Sequence, residues 1–286
     1  MKPSPVIVRT PHADIALRDS GGVGMPVLLL HGNSSCKDVF RHQMEGALAR
    51  RYRMIAMDLA GHGESGDASD VRAYTIPGHA ETALYLLDLL GIPDAAVLGW
   101  SLGGHIGIEM LARRPSLRGL MIIGAPPYAH GFLGMARAFH VNLNLLLMTR
   151  ARLSEREARR LTRATLGTAY DPAFVDAVLR TDVRARPELY RGMMKAEGAD
   201  QKRTIESADV PVAVVNGAGE PFARLDYLAD LAYGDLWDGR CHVIEGAGHA
   251  PFLERPDLFD PILDRFLSDL ATRRAARQGR MMFRTA

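Results

Sequence analysis

Gly99-Trp100-Ser101-Leu102-Gly103 fits the pattern G-x-S-x-G. The apolar run Ala96-Val97-Leu98 leads into it, and a helical pattern from Ser101 to Arg114 leaves it, stopped by Pro115. A serine at so sharp a strand-to-helix turn takes a strained backbone conformation. Its glycine neighbours remove the clashes, and the hydroxyl is pushed into the open above the sheet. The same turn aims the next backbone N–H, that of Leu102, at an oxyanion. A glycine-rich turn with an incidental serine is the competing reading.

A serine hydroxyl is a poor nucleophile until a base takes its proton. Of the ten histidines, His249 stands in Gly246-Ala247-Gly248-His249-Ala250-Pro251-Phe252, a loop after the strand-like run around Val243. This is where a base following the final strand is expected. His105 falls inside the helix after Ser101 and reads as a packed or surface histidine. His31 and His62 stand beside glycines and read as turn-shaping residues. His12, His42, His79, His130, His140 and His242 carry no motif. A carboxylate is needed to hold the base in one tautomer and to stabilise the imidazolium. Glu220, in Val215-Asn216-Gly217-Ala218-Gly219-Glu220-Pro221-Phe222, is the first acidic residue past its strand. Asp226 competes but falls in the helix that follows, and the loop after Leu120–Ile123 offers no carboxylate. A solvent-facing loop charge is the alternative role for Glu220.

The elements that must position these groups are also legible. Val27–Leu30, Met54–Met57, Ala96–Leu98 and Leu120–Ile123 are continuous apolar runs, as expected of strands buried on both faces. A helical pattern from Thr75 to Leu90, closed by Gly91, separates two of them. This alternation implies βαβ crossovers and a parallel sheet. Val6–Val8 and Ile15–Arg18 are too close together to enclose a helix and are expected to form an antiparallel edge. The alternation stops after Gly124-Ala125-Pro126-Pro127. Residues 128–207 are mostly helical in pattern and rich in arginine; strands resume at Val212–Val215 and His242–Ile244, and a helix is expected from about Pro256 to Arg273. The expectation is one core, 1–127 with 208–286, interrupted by a helical insertion at 128–207.

Composition excludes several classes. The 286 residues, 47% hydrophobic and 24% charged, describe an ordinary globular chain and not a disordered one. A formal charge of +2 makes no electrostatic case for nucleic acid as the main ligand. The two cysteines, Cys36 and Cys241, cannot supply a disulfide framework. Met1-Lys2-Pro3-Ser4-Pro5 does not open a signal sequence, no run approaches the roughly 18 apolar residues of a membrane span, and a cytoplasmic location is expected. The arginines of the tail, Arg273, Arg274, Arg277, Arg280 and Arg284, read as a solvated end.

The order nucleophile, acid, base (Ser101, Glu220, His249) resembles that of the α/β-hydrolase superfamily, and the resemblance covers nearly the whole chain. It implies an α/β fold with a mostly parallel central sheet flanked by helices, and a helical cap where the insertion falls. His31-Gly32-Asn33-Ser34-Ser35 is similar to the H-G-x loop of that family, which implies that Asn33 supplies a second oxyanion N–H beside that of Leu102. Asp58-Leu59-Ala60-Gly61-His62-Gly63-Glu64-Ser65 resembles its D-x-x-G-x-G-x-S structural turn. A serine nucleophile implies acyl transfer, unlike the carboxylate nucleophile of haloalkane dehalogenases and epoxide hydrolases. His31–Ser35, the glutamate acid and the segment 99–105 together resemble the serine-type N-acyl-homoserine lactonases, which implies a lactone substrate and neither metal nor cofactor. The zinc-lactonase motif H-x-H-x-D-H is absent from the sequence. A general carboxylesterase, a C–C bond hydrolase and a non-catalytic ligand receptor of this fold stay open. Phe132, Met135, Phe139 and Leu143, in the apolar run up to Met148, are candidate acyl-chain contacts, with packing of cap on core as the equal alternative. Oligomeric state is not legible.

Overall fold

The computed structural model describes the backbone of residues 5–282 and side chains as far as Arg273. Eight strands form one sheet in the order β1-β2-β4-β3-β5-β6-β7-β8. They are β1 (Val6–Arg9), β2 (Asp14–Asp19), β3 (Pro26–Leu30), β4 (Arg53–Met57), β5 (Ala96–Trp100), β6 (Gly119–Ile123), β7 (Val212–Gly217) and β8 (His242–Ile244). β1 pairs antiparallel with β2, and β2 antiparallel with β4, making the expected antiparallel edge. Every other pairing is parallel.

The apolar runs are continuous because helices cover both faces of the sheet. Leu28 and Leu30 join Ile55, Met57, Val97 and Ile122 in the core on one face. Their neighbours Val27 and Leu29 join Met54, Ala56, Leu98 and Met121 on the other. Before β4 lie α1 (Arg41–Glu45) and α2 (Ala47–Arg51). α3 (Ile76–Leu89) starts at Thr75, whose hydroxyl accepts the Gly78 N–H, and is closed by Gly91 at φ +67°. α4 (Leu102–Arg113) follows β5 and packs against α3.

The segment between β6 and β7 is helical: α5 (Phe132–Ala138), α6 (Leu143–Leu147), α7 (Glu155–Leu166), α8 (Ala173–Arg180), α9 (Ala185–Met194) and α10 (Gln201–Glu206). Leu147, Ala158, Leu161, Val175 and Val178 form a small core of its own. α7 opens with a reciprocal capping box between Ser154 and Glu157. α10 returns to pack on α4. After β7 come α11 (Leu225–Ala229), then α12 (Pro251–Glu254) and α13 (Pro256–Met282). α13 thus runs past Arg273, where the sequence pattern placed its end. The side chains of Arg274, Arg277, Arg280 and Arg284 lie outside the described residues, as does the segment Met1–Ser4. No described helix is long and apolar enough to cross a membrane.

Candidate active site

Ser101 sits at the C-terminal end of β5 with φ 54° and ψ −118°, a conformation that L-residues rarely adopt and that costs about 1–3 kcal/mol. The structure holds it there from both sides. Its N–H donates to the Ile123 carbonyl at 2.7 Å, and its carbonyl accepts the Gly104 N–H at 2.9 Å. The flanking glycines are steric necessities. A Cβ at Gly99 would lie 2.2 Å from the Gly103 carbonyl oxygen, and one at Gly103 would lie 2.0 Å from that of Leu30. Leu102 is the first residue of α4, so its N–H has no acceptor within the helix and lies at the positive end of the helix dipole.

His249 occupies the loop between β8 and α12 and is 1% exposed. Its Nδ1 lies 2.8 Å and 2.9 Å from the two carboxylate oxygens of Glu220. Between two acceptors Nδ1 carries the proton, which leaves Nε2 as the basic nitrogen; among the described residues Nε2 has no hydrogen-bond partner. Glu220 is buried, and its Oε1 also accepts the N–H groups of Phe222 at 2.9 Å and Ala223 at 3.2 Å. Burial alone would raise its pKa. The facing, donating His249 and the two backbone N–H groups outweigh burial and hold the carboxyl below the usual carboxylate range. Asp226 lies on α11, is mostly exposed and pairs with Arg224, away from the histidine.

Three supporting residues had no motif to mark them. The Trp100 indole N–H donates to the His249 carbonyl at 2.8 Å, and its ring lies 5.4 Å from the imidazole. The Phe222 ring meets His249 edge-on at 4.8 Å. Gly124, at φ +59°, lies so close that a Cβ would come within 2.4 Å of His249 Cε1. Its N–H donates to the Asn216 side chain at 2.8 Å.

The loop after β3 lies against the serine: a Cβ on Gly32 would be 3.1 Å from that of Ser101. The neighbouring Asn33 is half-buried; its side-chain amide donates to the Met148 carbonyl at 3.3 Å, and its Oδ1 accepts the Ser34 hydroxyl at 3.1 Å. The other histidines of interest are buried and serve packing. His31 spans the Gly32 carbonyl at 2.7 Å and the Leu59 N–H at 3.0 Å, and His62 reaches the Ala60 carbonyl at 2.9 Å. His105 bonds Gln201 at 2.8 Å. Burial pushes His31 and His62 down to about 3 and His105 to about 4. Asp58 accepts the N–H groups of Lys37 and Glu64 and the Lys37 ammonium, which makes its loop a buried structural knot.

The four apolar candidates after β6 separate. Phe139 is half-buried, 5.9 Å from the His105 ring and 6.0 Å from Tyr128. Met135 is half-buried as well, whereas Phe132 is 72% and Leu143 69% exposed. One contact here has no sequence signature. Phe139 forms an isolated antiparallel bridge with Ala223, and the His140 N–H donates to the Phe222 carbonyl at 2.8 Å, so this segment is stitched to the loop that carries Glu220. Among the described residues no group of three or more His, Cys, Asp or Glu side chains is placed to hold a metal ion. Cys36 and Cys241 are free thiols.

The chain matches the alpha/beta hydrolase fold family over residues 25–256 and belongs to that family. Its solved relatives include the N-acyl homoserine lactonase AidH, determined with N-butanoyl homoserine. That structure is 43% identical, has a TM-score of 0.91, and the match covers 93% of this chain and 97% of that one. A pimeloyl-(acyl-carrier protein) methyl ester esterase of Xanthomonas axonopodis pv. citri is 31% identical over 263 residues, covering 87% of this chain and 97% of the esterase. An esterase of Rhodococcus, 24% identical with a TM-score of 0.75 over 92% of this chain and 98% of its own, shares the fold.

Proposed function

We propose that the protein hydrolyses carboxylic esters and lactones through Ser101, His249 and Glu220, and that its substrate class is the N-acyl-homoserine lactones. The observation that carries the reading is the His249 imidazole, bonded through Nδ1 to the Glu220 carboxylate and unpartnered at Nε2, in a chain whose serine sits on a strained turn. The lactone reading is supported by the 43% identity to AidH, one serine-to-glycine mutant of which is described with N-hexanoyl homoserine lactone.

In this mechanism His249 Nε2 takes the Ser101 proton as Oγ attacks the ring carbonyl. Glu220 stabilises the resulting imidazolium. The N–H groups of Asn33 and Leu102 receive the oxyanion, a contribution of about 3–4 kcal/mol for one such donor in a well-studied protease. As the ring C–O bond breaks, the alkoxide takes its proton from His249 and becomes the side-chain hydroxyl of a homoserine esterified through its carboxyl to Ser101. His249 then deprotonates a water, which attacks this ester and releases N-acyl-homoserine and the free serine. No metal or cofactor enters. Residues 128–207 act as a cap over the site, with Phe139 and Met135, the two half-buried candidates, flanking the acyl chain.

The test is ring opening followed by pH-stat across N-acyl-homoserine lactones of different chain length, beside a methyl ester and an aryl ester, with wild type and Ser101→Ala. Turnover of lactones that falls by about 10⁴-fold in the variant is the expected result. Turnover of the open-chain esters alone would replace the lactonase reading with the second one, a methyl ester hydrolase, which the 31% identical relative favours. An active Ser101→Ala would remove the mechanism.

A further inference from the structure

Arg186 lies on α9 and is 2% exposed, and among the described residues none of its hydrogen-bond partners is a carboxylate. Its guanidinium donates instead to neutral oxygens: the carbonyls of Arg150 at 2.7 Å, Ala151 at 3.1 Å and Val178 at 3.2 Å, and the Ser34 hydroxyl at 2.9 Å. Such burial is expensive for a cation, and it pushes the group down to about 10. The bonds to Val178, Arg150 and Ala151 hold the end of α8 against the stretch after α6. The fourth bond leaves that segment and reaches the loop after β3.

There the chain of contacts continues. The Ser34 hydroxyl, which accepts from Arg186, donates to Asn33 Oδ1, and the Asn33 amide donates to the Met148 carbonyl. Arg186 and Asn33 therefore grip the same stretch, 148–151, from two sides, with Ser34 as the link between them. Ser34 stands at φ 59°, a backbone conformation unfavourable for a residue with a Cβ, and is held in it beside the Gly32 that touches Ser101.

We propose that Arg186 is a positioning residue: acting through the Ser34 hydroxyl, it sets the orientation of Asn33 and thereby of the oxyanion N–H beside Ser101. The inference rests on the reading of Ser101 as nucleophile and Asn33 as oxyanion donor. It couples the helical segment to the chemistry, since the loop that meets the developing charge is held by a side chain from α9. Lysine cannot replace the arginine, because a single ammonium cannot span four oxygens arranged around a planar fork.

The test compares wild type with Ser34→Ala, Arg186→Gln and the double variant on one aryl ester. Binding of an aryl boronic acid, which forms a tetrahedral adduct on Ser101, is measured alongside. Deleting a whole oxyanion donor costs about 10²–10³-fold in kcat, so a misaimed donor is expected to cost about tenfold. Ser34→Ala should lower kcat by about that factor with KM within about twofold, and weaken the boronic acid by a similar factor. The double variant should be little worse than Arg186→Gln, because both changes break one chain. Ser34→Ala with wild-type kcat and wild-type boronate affinity would overturn the link, and an Arg186→Gln that lowers only Tm would do the same. An inactive wild type or an active Ser101→Ala would overturn the reading of the site, and this inference with it.

Discussion

The indole N–H of Trp100 donates to the main-chain carbonyl of His249 across 149 residues of sequence. The residue that precedes the serine on β5 thus holds the backbone of the residue that carries the histidine. The two halves of the site are tied through the sheet, independently of the hydroxyl. The bond also satisfies a buried carbonyl in a loop that has no strand or helix to do so.

Trp100→Phe keeps an aromatic ring in the core but leaves that carbonyl without its donor. An unsatisfied buried group costs about 1–3 kcal/mol, and the smaller ring adds a packing loss. The expected result is a lower urea midpoint together with a fall in kcat of about tenfold or more, as the imidazole loses its fixed position. Unchanged stability and unchanged kcat would show that the bond has no role.

Glu220→Gln removes the charge that faces His249 and offers an amide able to favour the wrong tautomer. In a triad of this type such a change can cost about 10⁴-fold in kcat. Asp226→Asn touches an exposed pair with Arg224 at the start of α11 and should leave kcat close to wild type. The measurement is kcat of both variants on one good ester, with circular dichroism to confirm folding. A crippled Asp226→Asn beside an active Glu220→Gln would reverse the assignment.

His31, His62 and His79 lie in a buried row, with ring centroids 5.4 Å and 6.2 Å apart, and burial pushes each down to about 3. Their ordinary value is 6.5, so below that pH the unfolded chain binds protons that the folded chain does not. Stability is therefore fully present above pH 6.5 and falls with acidification towards about pH 3. Each group contributes a slope of about 1.4 kcal/mol per pH unit. Urea unfolding at pH 7.5, 6.5 and 5.5 should show this loss, and His79→Leu, which removes a buried ring nitrogen with no hydrogen-bond partner among the described residues, should lessen the slope by about one proton. An identical slope in the variant would count against a neutral His79.

Chelation supplies a further check. In the proposed mechanism a histidine activates the nucleophile, and none of its steps needs a Lewis acid. Ester or lactone turnover is expected to be unchanged by EDTA, and loss on chelation with recovery on adding Zn²⁺ would contradict the mechanism.

What contiguous residues encode was legible in the sequence. The continuous apolar runs mark strands buried on two faces, Thr75 and Gly91 mark the two ends of α3, and the glycines around Ser101 mark a turn that only they permit, because backbone conformation is decided by near neighbours. That Glu220 and His249 would meet was legible because each follows a strand end, and the parallel strands carry their C-terminal ends to one edge of the sheet. The tertiary structure alone decided the rest. Hydrophobicity marked Phe132, Met135, Phe139 and Leu143 equally, yet only packing puts Phe139 against His105 and leaves Phe132 and Leu143 largely in solvent. Nothing in local spacing pairs Trp100 with His249, Gln201 with His105 or Arg186 with Ser34, partners 149, 96 and 152 residues apart. A hydrogen bond between distant residues leaves no periodic trace in one sequence, because it depends on where two independently formed elements come to rest.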